Sequence, residues 1–262
     1  MKLVVWILLF LIVPALEAND SLRTERERIN SFGFKLNYIS TKHFADFSQL
    51  PDAPSCCPKY TNANGNGFEF GIIYQEFLTK TISIAPSVGF IKTDGLFKSI
   101  EEKKIIINNS EETAEIEHNL LTNLYFLYLE TGIIYNLFKS LNFMTAISLD
   151  YLAEANFEQK ELLIKPENRG TFENGRRTRN EISGKISGAN KFNFFLKAGI
   201  NYELPLNKTK SITLLPSATI SAGLNNLLPE NKWGIIHLSI GFTILFNNYL
   251  DYSTPIEPKH RN

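Results

Sequence analysis

Along most of the chain, apolar side chains occupy positions of one parity and polar or small ones occupy the other. In "WGIIHLSIGFTILFNN", Trp233 to Asn248, the residues Ile236, Leu238, Ile240, Phe242, Ile244 and Phe246 alternate with His237, Ser239, Gly241 and Thr243. Successive side chains of a β-strand point to opposite faces, so a period of two predicts a strand with one apolar face. The pattern recurs in "SFGFKLNYIS", "GFEFGIIYQ", "TISIAPSVGF", "KFNFFLKAGINYEL" and "SITLLPSATISAG". A fifth segment sets Phe143, Ile147, Leu149 and Tyr151 against Ser148, Asp150 and Glu154. Between Glu117 and Leu137 the alternation is mixed. Leu124, Phe126 and Ile134 share a parity with Thr122, Glu130, Gly132 and Asn136, which calls for a bulge or a filled interior layer.

These segments make eight strands, with ten as the other count. The connections alternate in length. Short ones fall at 77–80, 138–141 and 205–210; long ones fall at 41–67, 92–116 and 156–191, with a medium one at 224–232. Short turns at one end, longer loops at the other and an even strand count are features of outer-membrane barrels. The apolar parity also carries Phe32, Tyr74, Tyr135, Phe143, Tyr202 and Phe246 at the ends that face the short turns. A membrane interface selects aromatic residues at one level, whereas a soluble core does not. The expected fold is therefore all-β: an eight-stranded antiparallel transmembrane β-barrel with long outer loops and short periplasmic turns. A two-sheet sandwich and a lipocalin-like soluble barrel are the alternatives.

The first residues, "MKLVVWILLFLIVPALEAND", combine one early lysine, an apolar run over Leu3–Val13 and small residues at Ala15 and Ala18. This is the layout of a secretory signal peptide. The run is shorter than the roughly 20 residues a spanning helix needs. The expected organisation is 1–18 signal peptide, 19–30 N-terminal periplasmic segment, 31–246 outer-membrane barrel and 247–262 short polar tail. The expected location is the bacterial outer membrane.

The segments from Ser31 to Phe246, with the closing "GFTILF", resemble eight-stranded outer-membrane barrels of the OmpA/OmpX and PorT-like kind. "LPDAPSCCPKY" and "NGNGFEFGIIYQEFL" resemble the loop-plus-strand segments of such barrels. In these families the barrel ends the chain or precedes a peptidoglycan-binding domain. The resemblance brings no catalytic motif with it.

Charge and candidate chemistry then refine the picture. Lys plus Arg and Asp plus Glu each number 27, a balance that gives no reason to expect a nucleic-acid partner. An eight-stranded barrel has an interior that side chains can fill. Inward Lys35, Glu69, Glu130, Asp150, Lys197, Glu203 and His237 are accordingly expected to form an interior polar network, since an isolated buried charge is costly. A narrow ion path is the functional alternative. Cys56 and Cys57 are adjacent, with His43 nearby in sequence, and lack the usual metal-ligand spacing. No metal and no cofactor is expected. In "NGRRTR", Arg176, Arg177 and Arg179 are candidates for contact with lipid phosphates, because guanidinium matches phosphate geometry. His43 and His118 are the histidines expected near the outer rim, and neither accompanies a nucleophile motif.

The expectation from sequence is a monomeric, non-catalytic outer-membrane barrel with a structural or interaction role carried by its outer loops. Its partners would be outer-membrane lipid and an envelope protein. A component of an envelope secretion or transport system is the second reading, and a lipid-modifying enzyme the third.

Overall fold

The computed structural model describes residues 26–51, 58–107, 110–138, 140–167 and 169–251. The expected signal peptide, Cys56, Cys57 and most of the polar tail lie outside the described residues. Among the described residues ten strands are present: β1 (Arg26–Phe47), β2 (Tyr60–Phe77), β3 (Ile82–Ile107), β4 (Ser110–Phe138), β5 (Leu141–Lys165), β6 (Thr178–Lys185), β7 (Phe192–Tyr202), β8 (Leu204–Pro205), β9 (Ile212–Gly223) and β10 (Lys232–Asp251).

Neighbours pair antiparallel in the order β10-β1-β2-β3-β4-β5-β7-β9, and β9 pairs β10 to close the ring. The barrel wall is thus eight strands, all antiparallel. β6 pairs the outer part of β5, and the two-residue β8 pairs β9. The N-terminal and C-terminal strands meet from Arg26↔Asp251 to Asp46↔Lys232. The barrel sheet therefore starts before Ser31 and ends after Phe246.

The wall is inside-out relative to a soluble sheet. Phe32, Phe34, Leu36 and Tyr38 of β1 are exposed on the outer surface, while Ser31, Lys35 and Asn37 are buried inside. In β10, Leu238 is 53% exposed and His237 is 2% exposed. In water this arrangement would leave the whole apolar belt unburied; in hydrocarbon it is the stable one.

Register places the expected aromatic girdle on one level. Phe32 lies directly between Tyr74 and Phe246, and Tyr135 lies opposite Phe143. A second level runs along the other end of the belt, where Tyr151 lies opposite Phe192. On β4 the two levels are marked by Tyr135 and Tyr125. Ten residues span about 33 Å along a strand. Tilting that strand by roughly 40° reduces the height to about 25 Å, the height of the apolar band in such barrels.

The long outer connections differ from expectation. Much of 92–116 and of 156–191 is strand. β3 and β4 pair continuously from Ile82↔Tyr135 to Ile107↔Ser110, and β5 stays on β4 as far as Lys165. β3, β4, β5 and β6 together form an outer wall that continues well beyond the second aromatic level. β7 and β9 stop near it, so the barrel is tall on one side and low on the other.

The mixed parity of β4 has a plain cause. Leu124, Phe126 and Ile134 are buried inside the barrel, so the interior layer is filled, and the β3–β4 register runs without a shift. The bulge sits in β5 instead. Tyr125 pairs Glu154 and Phe126 pairs Leu152, leaving Ala153 over. One extra residue exchanges the two faces. Glu154, expected inside, is therefore exposed outside, and Phe157, Gln159 and Glu161 turn inward above it.

Candidate functional site

The barrel interior divides into two zones. In the middle, four charged side chains from four strands converge: Lys35 from β1, Glu69 from β2, Glu130 from β4 and Lys197 from β7. Lys35 Nζ lies 2.8 Å from Glu69 and 2.9 Å from Glu130. Lys197 Nζ lies 3.3 Å from Glu69 and 2.5 Å from Glu130. Each cation touches both anions, so the quartet is a closed, neutral ring of charge. Asn37 donates to Glu69 at 2.8 Å, and the Ser87 hydroxyl donates to Glu130 at 3.1 Å. The Tyr128 ring lies below both ammonium groups, with Lys35 Nζ 4.8 Å and Lys197 Nζ 5.9 Å from its centroid. Gly71 and Gly89 leave the space that the Tyr128 hydroxyl occupies; a Cβ on either would collide with it. A cavity of about 40 Å³ adjoins the quartet, bordered by Asn37, Asn201 and Thr243.

The other interior residues singled out by the sequence sit around this ring without completing it. Asp150 accepts a hydrogen bond from Ser148 and forms no ion pair among the described residues. His237 is buried above the quartet; its Nδ1 lies 3.0 Å from the Thr41 hydroxyl and its ring stacks on Phe195 at 5.4 Å. Glu203 belongs elsewhere. It lies at the turn end of the barrel, where Arg28 donates to it at 2.8 Å and Asn142 at 3.3 Å.

Above the quartet the interior changes character. Phe47, Tyr60, Phe97 and Trp233 pack ring against ring with centroids 5.4–5.9 Å apart. Leu50, Leu120, Leu124, Phe126, Leu152, Leu227 and Leu228 extend this cluster across the barrel. His43, expected at the rim, is enclosed in it. Trp233 Nε1 donates to His43 Nδ1 at 3.0 Å. His43 Nε2, which then carries the proton, donates to the Asp94 carbonyl at 2.9 Å. Both ring nitrogens are used, so His43 is a structural residue. The strand periodicity located this face but not what fills it: Trp233 looks like a strand end, and Leu50 lies in a stretch expected to be loop.

The outer wall holds the third cluster. Glu161 is fully buried and accepts from Arg179 Nε at 2.6 Å and from Asn180 at 2.6 Å. His118, also buried, lies 3.3 Å from Glu101 and 3.7 Å from Glu161. Arg179 also stacks on Phe172, 4.4 Å from its centroid. Arg177 donates to the Leu163 carbonyl at 2.7 Å and to the Arg169 carbonyl at 3.0 Å, which ties the β5–β6 connection to the end of β5. Lys165 donates to Glu115 at 2.6 Å, and the partner holds its pKa above the ordinary lysine value.

The arginine expectation is corrected on two counts. Arg177 and Arg179 are committed to contacts within the wall, and only Arg176 remains exposed there. The cluster is also out of reach of headgroups. Leu163 lies twelve residues beyond Tyr151 of the outer aromatic level, about 40 Å along the strand.

No family model matches the chain, and no curated protein matches it. Among solved structures it is similar to the attachment invasion locus protein Ail of Yersinia pestis, at 11% identity and a TM-score of 0.30, over 83% of this chain and 99% of that one. It is also similar to Neisserial surface protein A, at 7% identity and a TM-score of 0.36, over 81% of this chain and 96% of that one. The outer membrane protease OmpT from Escherichia coli aligns at 8% identity and a TM-score of 0.32, over 89% and 99%. Likenesses this distant carry no weight of their own. Ring closure, antiparallel register, two aromatic levels and the inside-out polarity are sufficient: the chain is an eight-stranded antiparallel transmembrane β-barrel.

Proposed function

We propose that the protein is an integral barrel of the bacterial outer membrane, exported by a cleaved signal peptide, that neither conducts ions nor catalyses a reaction. Its role is structural or one of interaction, carried by the outer wall. The observation behind this reading is the filled interior. A neutral charge quartet occupies the middle of the barrel and an aromatic and aliphatic plug closes the outer half. A permeating ion would have to displace both. The non-catalytic part is supported by the histidines: His43 and His237 are held inside the barrel, and His118 faces two carboxylates rather than a hydroxyl or thiol.

The test is electrical. Purified protein refolded into a planar bilayer is expected to give a flat current at 100 mV, while the same preparation shows a heat-dependent band shift on a denaturing gel. Sustained, stepwise conductance from the folded form would contradict the proposal.

A further inference from the structure

The outer wall ends in an open sheet edge. β2 pairs β3 only as far as Ala63↔Phe97, yet β3 continues from Lys98 to Ile107. Among the described strands, that continuation has β4 on one side and nothing on the other. Its sequence is Lys98-Ser-Ile-Glu-Glu-Lys-Lys-Ile-Ile-Ile107. An unpaired edge offers a row of backbone donors and acceptors to any extended strand, and charged side chains limit which strand can use it. Here the charges are arranged to accept one partner in particular.

In an isologous antiparallel pair, the two edges are related by a two-fold axis perpendicular to the sheet, so only residues of like parity come opposite each other. With the axis at position 103, Glu102 of each copy lies opposite Lys104 of the other. Both residues are exposed on the outer face. Lys103 meets its own copy on the axis, and each Lys103 is held by its own Glu101 at 3.0 Å. Moving the axis to 102 or to 104 sets Glu102 against Glu102 or Lys104 against Lys104. Parallel pairing in register does both. Opposite charges across strands stabilise, and like charges destabilise. Of the antiparallel registers centred on 102, 103 and 104, the one at 103 alone makes the edge complementary to itself. Lys104 also has a partner within the chain, Glu111 at 2.8 Å, but both side chains are largely exposed, and such a pair is weak and exchangeable.

The antiparallel arrangement also fixes where the second copy must be. The two-fold axis lies in the membrane plane, so the partner barrel is inverted. Two barrels inverted in this way belong to two facing membranes. Lys103 is eleven residues beyond Lys92, which sits at the outer aromatic level beside Tyr125. That is about 36 Å along the strand and roughly 28 Å in height at a 40° tilt. The outer aromatic levels of the two membranes would stand about 55 Å apart at this spacing.

We infer that the β3 edge, Lys98 to Ile107, is a homotypic contact that joins two copies of this chain across facing membranes. The inference rests on the interaction role proposed above for the outer wall. A single edge of this length is a small interface, below the size of stable complexes. Many copies on two apposed surfaces act together and make the contact effective.

The test uses the full mature chain in phosphatidylcholine vesicles, with aggregation followed by light scattering and by energy transfer between vesicles labelled in two colours. Wild-type vesicles are expected to cluster, and rising salt is expected to disperse them. Glu102→Lys sets lysine against lysine across the contact, and Lys104→Glu sets glutamate against glutamate; each is expected to abolish clustering. In a mixture of Glu102→Lys vesicles with Lys104→Glu vesicles, one copy carries lysine at both positions and the other carries glutamate at both. In the register centred on 103, one pair sets the two introduced side chains against each other and the other sets the two native ones. Both pairs are then lysine against glutamate, and clustering between the two colours is expected to return. The double variant Glu102→Lys with Lys104→Glu is expected to cluster by itself. Both sites are exposed, and the heat-dependent band shift verifies each barrel. Dispersed wild-type vesicles, single variants that cluster like the wild type, or a mixture that stays dispersed would each overturn the inference. A barrel that blocks ions while its vesicles stay apart would sink this inference and leave the proposed function standing.

Discussion

The middle of the barrel and its outer half are filled with opposite chemistry. The middle is filled by two lysines and two glutamates that satisfy one another. The outer half is filled by aromatic rings around one histidine. The wall outside changes too: hydrocarbon surrounds the middle, while the outer half rises past the second aromatic level toward water. A polar interior behind an apolar exterior is stable only where lipid covers the outside. An apolar interior is the ordinary solution where water does. The same continuous strands therefore run from membrane logic into soluble-protein logic, and β1, β3, β4 and β5 carry both.

This contrast can be broken first at the quartet. Lys197→Met removes one cation and leaves Glu69 and Glu130 sharing Lys35. An uncompensated buried charge costs about 3–5 kcal/mol. The urea midpoint of the barrel refolded in vesicles should fall accordingly; a loss under about 1 kcal/mol would mean that the ring is not holding the barrel together.

A charge on the other side of the same wall sharpens the comparison. Ile240 is 50% exposed on the outer face and Thr243 is buried inside. Ile240→Arg sets a guanidinium near the bilayer midplane, at about 2–4 kcal/mol. Thr243→Ser keeps the hydroxyl inside and should cost well under about 1 kcal/mol. Similar midpoints for the two variants would mean that the faces are misassigned.

In the plug, Trp233→Phe keeps a ring in place but removes the donor to His43. A buried acceptor left unsatisfied costs about 1–3 kcal/mol. The expected loss is therefore smaller than for Lys197→Met, and the lipid-to-water transfer of the membrane belt should be unaffected. The urea midpoint in vesicles reports the loss, and a midpoint lowered as far as for Lys197→Met would contradict the expectation.

How far the sequence reveals this depends on what a period of two encodes. It specifies which face a residue occupies, so it places Lys35, Glu69, Glu130, Lys197 and His237 inside, and Phe32, Tyr74, Tyr135, Phe143 and Phe246 on one level outside. It does not specify which inward residues meet. Nothing in the spacing of Glu203 distinguishes it from Lys197, yet Glu203 pairs Arg28 at the turn end. A single unpaired residue reverses the code without warning, as Ala153 does for Glu154. The outer wall reads as loop in the sequence because its strands carry charges on both faces and no lipid-facing stripe. Pairing between β3 and β4, rather than alternation, makes them strands. Arg177 and Arg179 look free in the sequence because their partners are backbone carbonyls and a buried glutamate that spacing cannot reveal.

The central claim is that the exposed apolar face meets hydrocarbon, and two adjacent residues test it most directly. Leu238 points out and His237 points in, stacked on Phe195. If water surrounded the barrel, Leu238→Gln would be harmless on an exposed surface, and His237→Gln would be the damaging change in a packed interior. With lipid outside the order reverses. Leu238→Gln sets an unpartnered amide against hydrocarbon, whereas His237→Gln keeps a polar group beside the Thr41 hydroxyl. The measurement is the urea midpoint of both variants refolded in lipid vesicles. The account predicts the larger loss at Leu238, by about 1 kcal/mol or more; an equal loss, or a larger one at His237, would contradict it.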